Sequence, residues 1–201
     1  MKVGILGCGY TGVALAERLV REGNSVRGSA LREESRAALE ARGIDARRVD
    51  LDDPDAVSAF CDGLEAVVHL APPPAEDRID AQEAGVRDAL PPSVRRFVYG
   101  STTGVYGRVS GWIDEQTPPG PRAPRGEARA RYEAALRRLD LSVGVVRIAG
   151  IYGPGRTTKH AMDRGLVLFE GGPPTSRVHV ADLARLLAAM RHSLLAGGKR
   201  L

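Results

Sequence analysis

The chain has 201 residues, of which 43% are hydrophobic, 27% are charged and only 4% are aromatic. This length suits one domain with a sizeable core, and the apolar runs are far too short to span a membrane. The formal net charge is +4, but basic residues alternate with acidic ones and aromatic residues are few, which argues against a nucleic-acid-binding surface. Two cysteines, Cys8 and Cys61, offer neither a disulfide framework nor a metal-ligand spacing. We therefore expect a cytoplasmic protein with no metal site, no nucleic-acid partner and no membrane partner.

The first predicted strand, Met1–Leu6, begins at the N-terminus of the chain, and we therefore expect no signal peptide before it. It is followed by Gly7, Gly9 and Gly12 in the spacing G-x-G-x-x-G, and then by apolar residues at helical spacing up to Gly23, a predicted helix C-cap. Between a strand and a helix, this motif predicts a dinucleotide-binding turn. Its first glycine allows the tight turn, the second lets a pyrophosphate approach the backbone, and the third lets the helix pack closely. The alternative is a glycine-rich turn without a ligand.

The end of the second predicted strand, Ser25–Ala30, bears on the choice of cofactor. In dinucleotide-binding folds, an acidic residue about 20 positions after the glycines binds the ribose 2′-hydroxyl and favours NAD. No acidic residue stands there in this sequence; Ser29 does, with Arg27 and Arg32 nearby. Because a hydroxyl and a guanidinium suit a 2′-phosphate, we predict NADP as the cofactor and keep NAD as the alternative. The competing interpretation is that these arginines are ordinary surface residues.

The rest of the chain alternates between predicted helices and strands. Helices are predicted over Glu33–Arg42, Pro54–Phe60, Ala75–Leu90, Gly126–Leu139 and Asp182–Leu195, and strands over Ile44–Val49, Ala66–Leu70, Arg96–Gly100 and Val143–Ile148; Arg177–Val180 precedes the last helix. Lys159–Pro174 is predicted to be irregular, and His69, inside an apolar strand, is interpreted as a satisfied core residue. The alternation predicts one α/β domain over residues 1–201: a Rossmann-type, doubly wound, mostly parallel sheet with helices on both faces. A ligand would lie across the carboxyl ends of its strands.

Several loops together resemble one family, the extended short-chain dehydrogenase/reductases, also called NAD-dependent epimerase/dehydratases. In the family's order, the matching pieces are GCGYTG at Gly7–Gly12, DL at Asp50–Leu51, HLA at His69–Ala71, STTGVYG at Ser101–Gly107, DEQTPPGP at Asp114–Pro121, RIAGIYGPG at Arg147–Gly155 and RVHVADLA at Arg177–Ala184. STTGVYG followed by GWIDE and PRG is similar to a bacterial branch typified by the YeeZ-type proteins. The resemblance implies an NADP-dependent oxidoreductase or epimerase that acts on a small sugar-like or carbonyl substrate.

The resemblance also implies roles for individual residues. From the adenine end to the nicotinamide end, the implied cofactor-binding residues are Asp50, Leu51, Ser29, Arg32, Gly7, Gly9, Tyr10, Thr11, Gly12, Leu70, Ala71, Ala149, Gly150 and Ile151. Asp50 and Leu51 would flank adenine, Ser29 and Arg32 would meet the adenosine ribose or its phosphate, and residues 7–12 would carry the pyrophosphate. Leu70 and Ala71 would border the inner ribose, and residues 149–151 would approach the nicotinamide. Thr102 falls where the family has its catalytic Ser or Thr, so its hydroxyl would bond a substrate oxygen.

Two features depart from the family pattern. The family uses a Tyr as acid or base and a Lys that lowers its pKa and holds the nicotinamide ribose, in the motif YxxxK; the corresponding positions here are Arg125 and Arg129. An arginine cannot exchange a proton near neutral pH, although Arg129 could replace the charge of the lysine. The chain is also short after its last predicted helix, so residues 152–176 would form only a small substrate-side cap. Both features favour the alternative of a non-catalytic dinucleotide-binding or sensor module. For either function, we expect a monomer or a homodimer.

Overall fold

The computed structural model describes residues 1–109, 111–157 and 175–193, together with Lys159, Met162, Asp163 and Gly165. Much of the predicted cap at residues 152–176, most of the irregular segment Lys159–Pro174 and the end of the last predicted helix lie outside the described residues. The expectations for those segments remain predictions.

Six strands form one parallel sheet. They are β1 (Lys2–Leu6), β2 (Ser25–Ala30), β3 (Asp45–Arg48), β4 (Ala66–His69), β5 (Arg96–Thr102) and β6 (Ser142–Ile148), in the spatial order β3-β2-β1-β4-β5-β6. Every neighbouring pair in this sheet is parallel. The chain builds outward from β1 to β3, then returns to the other side of β1 for β4, so the strand order reverses between β1 and β4. The predicted Rossmann-type sheet is confirmed.

The helices are α1 (Tyr10–Arg21), α2 (Glu33–Glu40), α3 (Pro54–Cys61), α4 (Ile79–Asp88), α5 (Pro124–Leu136) and α6 (Val180–Ser193). A 3-10 turn, Glu76–Arg78, precedes α4, and a second one, Thr103–Tyr106, follows β5. Two short strands, β7 (Gly150–Tyr152) and β8 (Arg177–His179), pair in parallel as a separate sheet. The sequence pattern assigned the residues of β7 to a loop, because the partner strand that makes them a strand is distant in the chain.

Each face of the large sheet carries its own apolar cluster. On one face, Ile5, Leu15 and Leu187 join β1 to α1 and α6. On the other face, Phe60 and Leu136 belong to a second cluster that packs α3, α4 and α5 against β4 and β5. Burial on both faces explains why the central strands read as continuous apolar runs, and it matches the predicted layers of helix, sheet and helix.

Helix α4 is shorter than the predicted span Ala75–Leu90, and its inward face contains a carboxylic acid. Glu83 is only 4% exposed and lies among the buried side chains of Ile79 and Val86. This polar residue interrupts the apolar stripe and explains why the stripe looks thin in the sequence. Helix α5 begins at Pro124 rather than at the predicted Gly126, since proline suits the first turn of a helix.

A buried ion pair ties α5 to the sheet. Glu133 is 2% exposed, accepts a hydrogen bond from Ser101 Oγ at 2.6 Å and pairs with Arg147 at 2.8 Å. The guanidinium of Arg147 also lies 4.7 Å from the ring centre of Tyr106. These contacts hold α5 over the carboxyl ends of β5 and β6. Among the helices of the described ranges, none has the length and apolar character needed to cross a membrane.

Candidate functional site

A cleft of about 870 Å³ runs along the carboxyl edge of the sheet, where the strand order reverses. In doubly wound folds, ligands bind at this reversal. The lining includes every residue to which the family resemblance assigned a role: Gly7, Gly9, Tyr10, Thr11, Gly12, Ser29, Arg32, Asp50, Leu51, Leu70, Ala71, Thr102, Ala149, Gly150 and Ile151. The fold therefore brings residues from the ends of β1 to β6 into one continuous surface.

The three glycines of the first turn have different surroundings. Gly7 has a φ of +76°, and a Cβ there would collide with backbone atoms of Ala71, so the turn lies directly against the chain that follows β4. A Cβ at Gly12 would meet Ile5 Cγ2 at 3.2 Å, because α1 packs closely on β1. A Cβ at Gly9 would meet nothing within 4 Å. The backbone at Gly9 therefore faces open cleft.

The N-terminus of α1 points into this cleft without a capping side chain. The amide of Gly7 donates to Ser29 Oγ at 2.9 Å, and the first hydrogen bond of the helix runs from the Val13 amide to the Gly9 carbonyl at 2.8 Å. The three amides of the first helical turn have no acceptor within the part of the chain that the structure describes. Free amides and the positive end of the helix dipole favour an anion at this place.

The polar residues predicted at the end of β2 do not act together. Ser29 is 3% exposed, and its hydroxyl supports the Gly7 amide from below while it still lines the cleft. Arg27 contradicts the expectation, because its guanidinium extends away from the cleft and donates to the Phe60 carbonyl at 2.6 Å. Arg32 is exposed on the cleft wall, and no acidic side chain of the described ranges pairs with it. Arg32 is therefore the cation available at this end of the cleft.

The adenine end of the predicted site has a wall that the sequence did not reveal. Asp50 Oδ1 accepts from the Asp52 amide at 3.0 Å. The carboxylate of Asp52 pairs with Arg78 and accepts from Gln82 Nε2 at 2.8 Å. These partners lie on the 3-10 turn and on α4, far from Asp52 in the chain, so no local pattern could have indicated them.

The loop after β7 borders the cleft beside the glycine turn. The Tyr10 hydroxyl donates to the Pro154 carbonyl at 3.0 Å, and its ring centre lies 5.6 Å below the guanidinium of Arg156. Arg156 lines the cleft as a result. Only a backbone role was predicted for Tyr10; the structure adds a side-chain contact that fastens this loop to the start of α1.

The positions that carry catalysis in the family pattern differ in their access to the cleft. Thr102 ends β5, and its Oγ1 accepts from the Gly104 amide at 3.1 Å, which leaves its hydroxyl proton free to donate. Arg129 is 8% exposed and lines the cleft, whereas Arg125 is exposed and does not line it. Among the described lining residues, Tyr10 is the only tyrosine. The cleft thus holds a hydroxyl and a cation near the expected chemistry, but no tyrosine in the expected place.

His69 lies beneath the cleft, 3% exposed, with the rings of Phe97 and Tyr99 centred 6.2 and 5.6 Å away. Its predicted place in the core is confirmed. The expectation of a satisfied ring is wrong, because Nδ1 is buried without a hydrogen-bond partner among the described residues. Burial, together with the positive charge of Arg129, lowers the pKa of His69 from 6.5 to about 3. The ring therefore stays neutral at physiological pH.

Comparisons with known proteins agree with this geometry. Residues 3–198 match the sequence model of the "NAD dependent epimerase/dehydratase family". Protein YeeZ of Escherichia coli K12 is 32% identical over 192 residues, which cover 90% of this chain and 70% of YeeZ. A conserved protein of unknown function from Silicibacter pomeroyi DSS is 30% identical, with a TM-score of 0.74 over 95% of this chain and 68% of its own. UDP-glucose 4-epimerase of Thermus thermophilus, solved in complex with NAD, is 22% identical and shares the fold, with a TM-score of 0.78 over 94% of this chain and 74% of its own.

The lowered pKa of His69 predicts an acid sensitivity. The unfolded chain takes up a proton on this histidine as the pH falls from 6.5 towards 3, while the folded chain does not. The His69 contribution to the free energy of unfolding is therefore lost in that window, at up to about 1.4 kcal/mol per pH unit. We expect His69→Leu to reduce the pH dependence of the free energy of unfolding there, measured by urea unfolding at several pH values. An unchanged dependence in His69→Leu would contradict the prediction.

Proposed function

The chain belongs to the NAD dependent epimerase/dehydratase family, and we propose that it binds an NAD(P) dinucleotide across the carboxyl edge of its sheet. The observation that carries this proposal is the open space at Gly9, bordered by amides of the first helical turn that lack acceptors among the described residues. A diphosphate is the anion that suits these donors, since its oxygens accept from several amides at once. The adenine would lie by Asp50 and Leu51, and the nicotinamide would lie by Ala149.

We further propose that the cofactor is NADP rather than NAD. Arg32 is exposed on the cleft wall after β2, where an acidic residue would favour a ribose 2′-hydroxyl. Its guanidinium offers paired donors of fixed geometry to a 2′-phosphate. Arg27 plays no part in this proposal, because its donors are used by the backbone at the end of α3.

For the reaction, we propose an oxidoreductase or epimerase that acts on a small sugar-like or carbonyl substrate. The bound dinucleotide would supply hydride transfer. Thr102 would donate its free hydroxyl proton to a substrate oxygen, and its place at the end of β5 holds that hydroxyl next to the cleft. Arg129 would hold the nicotinamide ribose as the lysine does in the family pattern, because its guanidinium reaches the cleft from the corresponding position.

A non-catalytic dinucleotide-binding or sensor module is the second candidate function. One observation favours it: Arg125, at the position of the family's tyrosine, is exposed and does not line the cleft. An arginine also cannot act as the acid or base near neutral pH. In this function the same cleft binds the dinucleotide without turnover.

The first prediction concerns the diphosphate. We expect Gly9→Ala to weaken NADPH and NADH binding at least tenfold, because its methyl group fills the space that the phosphates need, with a change in the free energy of unfolding below about 1 kcal/mol. Fluorescence titration and urea unfolding measure the two quantities. Gly85→Ala is the matched control, because Gly85 lies outside the cleft and a Cβ there makes only an ordinary contact with Pro54; it should leave both affinities unchanged. Undiminished binding by Gly9→Ala would refute this placement of the diphosphate.

The second prediction concerns the 2′-phosphate. We expect Arg32→Ala to weaken NADPH binding about tenfold and NADH binding less than about twofold, since a hydrogen bond to a charged group contributes roughly 1.5–3 kcal/mol. Arg42→Ala, which removes an exposed arginine paired with Glu17 outside the cleft, should change neither affinity. Equal losses for NADPH and NADH in Arg32→Ala would exclude a 2′-phosphate contact.

The third prediction concerns turnover. If the chain is an oxidoreductase, Thr102→Val should lower kcat with NADPH and a panel of small carbonyl compounds by about 100-fold, because it removes the donor to the substrate oxygen. Thr102→Ser keeps the hydroxyl and should retain most of the activity, and both variants should bind NADPH with unchanged affinity. Turnover that survives in Thr102→Val would remove Thr102 from the mechanism, whereas NADPH binding without turnover in the wild type would select the non-catalytic function.

A further inference from the structure

We propose that Glu83 and Tyr99 are positioning residues for Arg129, and that they fix its guanidinium at the base of the cleft so that it contacts the nicotinamide-side ribose of the dinucleotide. This inference rests on the proposed function and adds two buried residues that do not themselves touch the ligand.

One nitrogen of the Arg129 guanidinium is hydrogen-bonded to β5, and the side chain lines the cleft. Its Nη1 donates to the Tyr99 hydroxyl at 2.6 Å and to the Gly100 carbonyl at 3.0 Å, and its guanidinium carbon lies 5.4 Å from the ring centre of Tyr99. All these contacts are with two adjacent residues of β5. The other guanidinium donors have no partner among the described residues, and the side chain lines the cleft. The Nη1 group is thus fixed to β5, and the remaining guanidinium N–H groups are available to a ligand.

The Tyr99 hydroxyl links two groups. It has one proton, which it donates to Glu83 Oε1 at 2.7 Å, so a lone pair is left to accept from Arg129. If Glu83 did not accept this hydrogen bond, the Tyr99 hydroxyl could rotate so that its proton points towards the guanidinium. Arg129 would then lose the Tyr99 oxygen as an acceptor. Burial raises the pKa of Glu83 to about 7, but the carboxyl group offers Oε1 as an acceptor whether it is ionised or protonated. The orientation of Arg129 therefore depends on a carboxyl group one helix away.

This network is distinct from the surface pairing between the same helices. At the exposed side of the α4–α5 contact, Asp80 pairs with Arg131 at 2.8 Å. That exposed pair can join the helices by itself, although such pairs contribute little free energy. Glu83 is 4% exposed and Tyr99 is 1% exposed, so the inner network costs desolvation that a purely apolar contact would avoid. Placement of a charge at the cleft accounts for a polar contact at this depth.

A matched pair of variants separates positioning from packing. Tyr132 lies in the same aromatic cluster, with its ring centre 4.9 Å from that of Tyr99, and its hydroxyl is buried without a partner among the described residues. Tyr99→Phe removes the linking hydroxyl, and Tyr132→Phe removes a hydroxyl with no such contact. NADH and ADP are the probes, because both carry adenosine diphosphate and only NADH has the second ribose.

We expect Tyr99→Phe to weaken NADH binding about tenfold and to change ADP binding less than twofold, by calorimetric or fluorescence titration. Tyr132→Phe should leave both affinities unchanged. Glu83→Leu should reproduce the NADH-selective loss, and Glu83→Gln, which keeps an acceptor for Tyr99, should restore NADH binding to within about threefold of the wild type.

Three results would overturn the inference. Equal losses for NADH and ADP in Tyr99→Phe would indicate general disruption of the cleft, and unchanged NADH binding would show that Arg129 needs no such support. A loss in Glu83→Gln as large as in Glu83→Leu would mean that the acceptor is not what matters. Wild-type protein that binds none of NADPH, NADH and ADP would be a different failure, since it would refute the proposed function and this inference with it.

Discussion

The contact between Gly7 and Ala71 sets the geometry on which the rest of the site depends. The turn after β1 can lie this close to the chain after β4 only because Gly7 has no Cβ and adopts a positive φ. Ser29 at the end of β2 supports the same turn by accepting from the Gly7 amide. Three neighbouring strands therefore converge on one turn, which directs α1 so that its free amides open into the cleft. The site at this end consists mainly of backbone, which is why small residues matter there more than charged ones.

Arg129, the charged residue on the nicotinamide side of the proposed site, depends on side-chain and backbone acceptors rather than on close backbone packing. Arg129 as a residue is only 8% exposed, so its charge needs compensation, and its guanidinium has two oxygen acceptors and an aromatic face on β5. Replacing a lysine by an arginine at this position preserves the positive charge but requires a planar group to be held in one orientation. Arg125 stands where the family pattern has its tyrosine and does not line the cleft, so the two positions of that pattern differ in their access to the proposed binding site.

Sequence patterns predicted the features of the fold that are determined by residues close together in the chain. The glycine turn, the alternation of strands and helices, and the edge of the sheet at which the site lies all follow from spacing and from apolar periodicity. What depends on distant partners was missed: β7 is a strand only because it pairs with β8, and Asp52 is hydrogen-bonded to Gln82, which lies 30 residues further along the chain. Arg27 was misjudged for the same reason, because the carbonyl group that accepts its hydrogen bond belongs to Phe60. The family pattern supplied the register of Arg129, but only the fold shows what holds it.

The residues around Tyr99 include buried polar atoms that lower the free energy of unfolding. His69 Nδ1, one oxygen of Glu83 and the Tyr132 hydroxyl are all buried there without hydrogen-bond partners among the described residues. Each buried polar group left unpaired costs about 1–3 kcal/mol, so an apolar layer of the same shape would be more stable. These unpaired atoms surround Tyr99, whose hydroxyl accepts a hydrogen bond from the guanidinium of Arg129. These three polar groups are therefore better explained by the proposed positioning of Arg129 at the cleft than by the stability of the core.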